Sequence, residues 1–157
     1  MVARQREGAC DGRVGKPVRS KASVYHIQIN ISDARKSFPF YEGFFGYLGY
    51  RKVDESPEHM GFSNGTTDFW IIQSAKAHTK RKFHRKSPGL NHISFGVGTP
   101  GTVRGFTRDF LKKRKIKILY GSPRSFPEYH KDYYAVYFED PDRIKLELTC
   151  VPKKRSG

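Results

Sequence analysis

VYHIQINI at residues 24–31 and LNHISFGV at residues 90–97 are one octet written twice, each with His-Ile at its third and fourth places. Both alternate. In the first, His26, Gln28 and Asn30 fall on one side of an extended chain and Ile27, Ile29 and Ile31 on the other; in the second, His92, Ser94 and Gly96 oppose Ile93, Phe95 and Val97. A period of two with one apolar face describes a half-buried strand, and in both copies the histidine lies on the polar face. A repeat fixes the architecture before any local reading does. Two repeats that each offer a histidine from the same strand position suggest a pseudo-twofold site with one ligand from each half.

Outward from the octets, the plan recurs. Ser32 or Asp33 can cap a helix after the first strand. DARKSFPFYEGFFG (33–46) then places Phe40, Tyr41, Phe44 and Phe45 on one face, with Pro39 bending the early turns and Gly46 and Gly49 offering stops. Short strands are expected at Tyr50–Val53, Met60–Ser63 and Phe69–Gln73, with the turn Asn64-Gly65 between the last two. In the second half, Thr99-Pro100-Gly101 precedes a helix carrying Val103, Phe106 and Phe110 at three-to-four spacing. Strands follow at Ile116–Tyr120, Tyr133–Glu139 and Ile144–Thr149, separated by the loop SPRSFPEYHKD (122–132) and the turn Asp140–Arg143. The chain thus reads as an α+β domain over 24–150, made of two tandem βαβββ modules (24–75 and 90–150) joined by a linker (76–89). A basic arm (1–23) precedes it and a basic tail (151–157) follows.

A hydrophobic fraction of 36%, with 14% aromatic residues, suffices for a core. No stretch approaches the ~18 apolar residues of a membrane span, and no secretory leader is evident. Cys10 and Cys150 make at most one pair, cysteine usage expected of a reducing, cytoplasmic compartment. The net charge of +15 is uneven: residues 1–23 carry six Lys/Arg against two acids, residues 76–86 six against none, and residues 104–117 seven against one. Such a balance favours acidic ligands or polyanions. The plainer reading is a solvated surface with basic tails, since no basic stretch is interleaved with aromatics as in a nucleic-acid motif. The run Lys112–Lys115 complements the dipole at the end of its helix.

HIQINISDARKSFPFYEGFFGYLGY, NHISFGV and PEYHKDYYAVYFEDPDRIKLEL resemble, in that order, the opening strand, helix and LGY turn, the second-module strand and the closing hairpin of the vicinal oxygen chelate superfamily. That superfamily includes glyoxalase I, bleomycin-resistance proteins, fosfomycin-modifying enzymes and extradiol dioxygenases. The resemblance implies curved mixed sheets forming a cup around one divalent metal, with ligands from the first and last strands of the modules: His26, His92 and Glu147. In IKLELT, Glu147 shares a face with Lys145 and Thr149, opposite Ile144, Leu146 and Leu148, so it leaves the polar side as both histidines do. Two imidazoles and a carboxylate suit Zn, Fe, Ni, Mn or Co and leave positions for water and substrate oxygens.

The fourth place departs from the family pattern. In DFWIIQS the position matching a carboxylate ligand is Ile71 or Ile72, and Gln73 reaches the cup only after a register slip. A three-ligand site therefore fits better than a four-ligand glyoxalase I centre. A second departure is Arg143, where the family's turn usually carries glycine; a left-handed backbone there strains arginine by about 1 kcal/mol.

At the mouth of the second module, Tyr129, His130 and Tyr134 are candidates for proton donor or substrate clamp beside Glu147. Glu128 shares that loop, and Arg124 could pair with a substrate anion. His59, His78 and His84 read as surface residues and Trp70 as core or cup lining. The resulting expectation is a metal-dependent enzyme, lactoylglutathione-lyase-like or dioxygenase-like, acting on a small anionic chelating substrate. The alternative is a cup that sequesters a small molecule without turnover, as bleomycin-resistance proteins do. The resemblance also implies a homodimer, and nucleic acid is the weaker third partner class.

Overall fold

The computed structural model describes residues 22–80 and 83–150, so most of the basic arm and all of the tail lie outside the described residues. The first module runs β1 (His26–Ile31), α1 (Ala34–Tyr47), β2 (Arg51–Glu55), β3 (His59–Ser63) and β4 (Asp68–Gln73). The second runs β5 (Ile93–Val97), α2 (Pro100–Phe106), β6 (Ile118–Ser125), β7 (Tyr134–Glu139) and β8 (Lys145–Cys150). Each forms a four-stranded sheet, ordered β1-β4-β3-β2 and β5-β8-β7-β6. In each, the first strand pairs parallel to the last and the other pairings are antiparallel. The duplicated βαβββ plan is thus the architecture.

Local chemistry sets the boundaries. Asp33 caps α1, its carboxylate accepting from the Arg35 N–H at 3.1 Å. Ser32 turns away to the other module, where its N–H donates to Asp142 at 2.9 Å and its hydroxyl bonds the same carboxylate. Thr99 caps α2 through Oγ1, and the helix continues as a π-helical turn over Thr107–Lys112. β6 is longer than expected and absorbs the start of the loop. Its ladder with β7 is irregular between Leu119 and Arg124, where Tyr120 (φ 57°) and Gly121 (φ 60°) turn left-handed and let the pairing resume. Arg143 has φ 69°, the strained turn that the absent glycine foretold.

The core is shared. Tyr41, Phe44 and Phe45 of α1 are fully buried. The Phe44 ring lies 5.1 Å from Phe95 on β5 and 5.5 Å from Phe138 on β7, while Phe45 lies 4.8 Å from Phe62 on β3. Both sheets therefore lay their apolar faces on the helices, with Ile29 and Ile31 from β1 and Leu146 and Leu148 from β8 in one cluster. It follows that each sheet turns its polar face away from the shared core.

Candidate functional site

The polar face of the second sheet carries the site. β5 pairs with β8 in a register that sets Ser94 opposite Glu147, which brings His92, at the entry to β5, beside that carboxylate. Glu147 is 1% exposed. Its Oε2 lies 3.1 Å from His92 Nε2, and its Oε1 accepts from the Tyr133 hydroxyl at 2.6 Å. Burial first, and the adjacent carboxylate second, raise the Tyr133 phenol above its ordinary pKa; the same two causes push Tyr137 well above it. Both phenols keep their protons at neutral pH.

The His92 tautomer follows from its neighbours. Asn91 Nδ2 donates to the Arg85 carbonyl at 3.2 Å, so its Oδ1 is the atom facing His92 Nδ1 at 2.8 Å. Nδ1 must then carry the N–H. The remaining nitrogen, Nε2, faces a carboxylate oxygen. That contact is repulsive unless a positive charge, a second proton or a metal ion, lies between them.

His26 does not join this pair. It is exposed on β1, and among the described residues no three His, Cys, Asp or Glu side chains converge closely enough to hold a metal. The physical reason is the shared core: β1 and β5 belong to different sheets, each turning its histidine away from the helices. The free edges of β1 and β5 border a 620 Å³ cleft lined by Ile27, Leu48, Phe69 and Phe95, and none of the three expected ligands lines it.

The polar face of the first sheet has its own character. β1 pairs His26 with Asp68 and Gln28 with Trp70. Because Gln28 matches Ser94, the position equivalent to Glu147 is Trp70, rather than Ile71 or Ile72. Ile71 is fully buried in the core. Trp70 lies against Gly61, where a Cβ would meet the ring at 2.8 Å, and its ring centre is 6.0 Å from that of His59. His59 is half-buried there and bonded to Ser56 and Asp54 rather than loose on the surface. Gln73 is structural: its Oε1 accepts from the Ala34 N–H at 2.7 Å and its Nε2 donates to the Ser32 carbonyl, closing the start of α1.

The three mouth residues separate. Tyr129 is 66% exposed and reaches Glu147 only through Tyr133, 5.6 Å from ring to ring. His130 is exposed and accepts from the Asp132 N–H. Tyr134 points to the opposite face of β7, against the core and under Arg104. Arg124 lies on the Phe126 ring at 3.8 Å with Glu128 3.6 Å from its guanidinium, an exposed local pair. Tyr133 and Tyr137, not Tyr134, are the tyrosines beside Glu147. The strand alternation around Tyr137 and Glu147 held that information, because β7 and β8 set the two opposite each other. Arg85 gave no sequence signal: from the linker it donates to Glu139 at 2.6 Å.

Two tandem βαβββ modules, with a histidine and a carboxylate brought together by the first and last strands of the second, define a class of proteins built by doubling one such unit. The chain belongs to the Glyoxalase/Bleomycin resistance protein/Dioxygenase superfamily, whose family model matches residues 23–148. It is 30% identical to the Bacillus subtilis protein YqjT over 127 residues, covering 81% of this chain and 98% of that one. It is 28% identical to the metallothiol transferase FosB of Staphylococcus epidermidis over 132 residues, 80% of each chain. Among solved structures, a Bacillus halodurans protein assigned provisionally to the glyoxalases superposes with a TM-score of 0.75 at 31% identity, covering 82% of this chain and 95% of the other. The fosfomycin resistance protein FosX of Listeria monocytogenes shares the fold, with a TM-score of 0.63 at 18% identity over 85% of this chain and 97% of its own.

Proposed function

We propose that this protein is a metal-dependent enzyme acting on a small anionic substrate that presents adjacent oxygens. His92 and Glu147 of one chain and His26 of a second copy would form the metal site. The observation that carries the reading is the placement of His92 Nε2 at 3.1 Å from the buried Glu147 carboxylate. A divalent cation answers that geometry, and Zn, Fe, Ni, Mn and Co all accept imidazole and carboxylate. The bound metal would supply Lewis-acid stabilisation of negative charge developing on substrate oxygen. Tyr133 orients the carboxylate and, held protonated beside it, can donate to a substrate oxygen. Trp70 and Gln28 would come with His26 from the facing copy and close the cup on its other side. The metallothiol transferase FosB among the relatives supports the metal reading.

Complementation tests it. Elemental analysis of protein purified without added metal should show a divalent metal in the wild type and none in His26→Ala or His92→Ala. Mixing these two variants under conditions of subunit exchange should restore metal, because one of the two mixed sites regains all three ligands. Metal retained in His92→Ala, or no recovery on mixing, would refute the two-chain site. A second reading is a binding cup without turnover, for which the cleft between the free edges of β1 and β5 offers an apolar lining that includes none of the expected ligands. It predicts no metal in any of these proteins.

A further inference from the structure

The polar face of the second sheet holds a cation that its own carboxylates leave over. Lys145, the first residue of β8, is 8% exposed and lies directly opposite Glu139 across the β7–β8 ladder. Cross-strand opposite charges ordinarily pair, but Glu139 is taken. Arg85 holds its Oε1 at 2.6 Å and Lys117 its Oε2 at 3.2 Å, with Arg143 4.0 Å away. Burial pushes the Glu139 carboxyl up, and Lys117 and Arg85 together bring it below the ordinary range. Glu147, two residues along on the same face, is occupied by His92 and Tyr133. Among the described residues Lys145 Nζ has no ion pair and no hydrogen bond; the Tyr120 and Tyr137 rings flank it, each 5.6 Å from Nζ to ring centre. The only fully buried side-chain polar atom without a partner among the described residues is Ser37 Oγ, so the ammonium still opens to solvent while its stem is covered.

The stem of Lys145 is fixed by its surroundings while its ammonium meets solvent without a carboxylate, so an incoming anion finds a placed and uncommitted charge. We propose that Lys145 binds the anionic group of the substrate, a carboxylate or a phosphoryl group, while the substrate's paired oxygens face His92 and Glu147. The orientation rests on the metal-site reading above. Lys145 and Glu147 leave one face of β8 two residues apart, about 7 Å, so the substrate is short, with only a few bonds between its anionic end and its chelating oxygens. Tyr120 holds its ring against the lysine from a left-handed backbone, an unfavourable conformation for tyrosine. Arg85, Lys117 and Arg143 are committed to Glu139 and Arg124 to Glu128, which makes Lys145 the residue that selects charge.

Calorimetric titration with methylphosphonate, and separately with acetate, tests this in about 0.15 M salt, which screens exposed lysines. Binding of the first marks a phosphoryl substrate, and of the second a carboxylate. Lys145→Met should weaken the preferred probe at least about tenfold, Lys145→Arg should restore most of the loss, and Lys36→Met on the exposed start of α1 should titrate as wild type. Lys145→Gln supplies the neutral variant should the methionine protein fail to fold. A neutral variant that binds like wild type, or a wild type that binds neither probe, overturns the proposal. Metal analysis of the same samples separates the two readings: metal without Lys145-dependent anion binding sinks the role of Lys145 alone. Lys145-dependent binding in a protein that takes up no metal sinks the metal site alone.

Discussion

Replacing Asp140 with asparagine should remove a stability loss that the wild type suffers on going from mildly acidic to mildly alkaline pH. Asp140 is 5% exposed in the turn between β7 and β8. Its Oδ2 accepts from the Tyr41 hydroxyl of the other module at 2.7 Å, and its Oδ1 from the Ile144 and Asp142 N–H groups at 2.7 and 2.9 Å. Burial dominates these donors, and with Asp142 nearby raises its pKa from 3.8 to about 7. Between those values the folded chain holds a proton that the unfolded chain has released. Unfolding free energy therefore falls as pH rises through the window, the reverse of a salt-bridged aspartate. Three pKa units correspond to about 4 kcal/mol, fully present below pH 4 and gone above pH 7. Asparagine mimics the protonated acid: Oδ1 still accepts from the turn, and Nδ2 can donate to the Tyr41 oxygen. Urea unfolding of both proteins at intervals from pH 5 to pH 8 isolates the effect, because every other group cancels in the difference. The variant should gain steadily on the wild type as pH rises. Parallel stability curves would refute the reasoning, and so would a wild type that gains on the variant.

Tyr133→Phe removes the hydroxyl that orients Glu147; it should fold normally yet bind metal roughly 10- to 100-fold more weakly in a competition titration. Unchanged affinity would mean that Tyr133 merely fills space. Gly61→Val drives a side chain into the Trp70 ring, where even a Cβ would sit at 2.8 Å. It should cost about 1–3 kcal/mol in chemical unfolding and shift the emission of the single tryptophan as the indole is lifted from the sheet. A stable variant with native emission would show that the ring does not lie there.

The fold was legible because its signals are local and repeated. Each octet states its buried face, and the helix-face aromatics at 40, 41, 44 and 45 are all core residues. Alternation put His92 and Glu147 on polar faces, the resemblance brought them together, and the two meet because β5 and β8 are neighbours within one module. The position of His26 did not follow from alternation. Period two says which side chains share a face, yet it is silent on which side of the helices that face comes to lie. That choice is made by Phe44 and Phe45, which fill the space between the sheets and touch Phe95, Phe138, Phe62 and Phe69 together. With aromatic rings from both modules in one core, both polar faces have to turn outward, and in the proposed site a second molecule would complete a cup that needs both. The substitution of Trp70 at the place equivalent to Glu147 fits the same logic. In the proposed two-chain cup the first module would contribute one ligand and a wall, so a second carboxylate would not be required of it, and the indole over Gly61 would supply the wall.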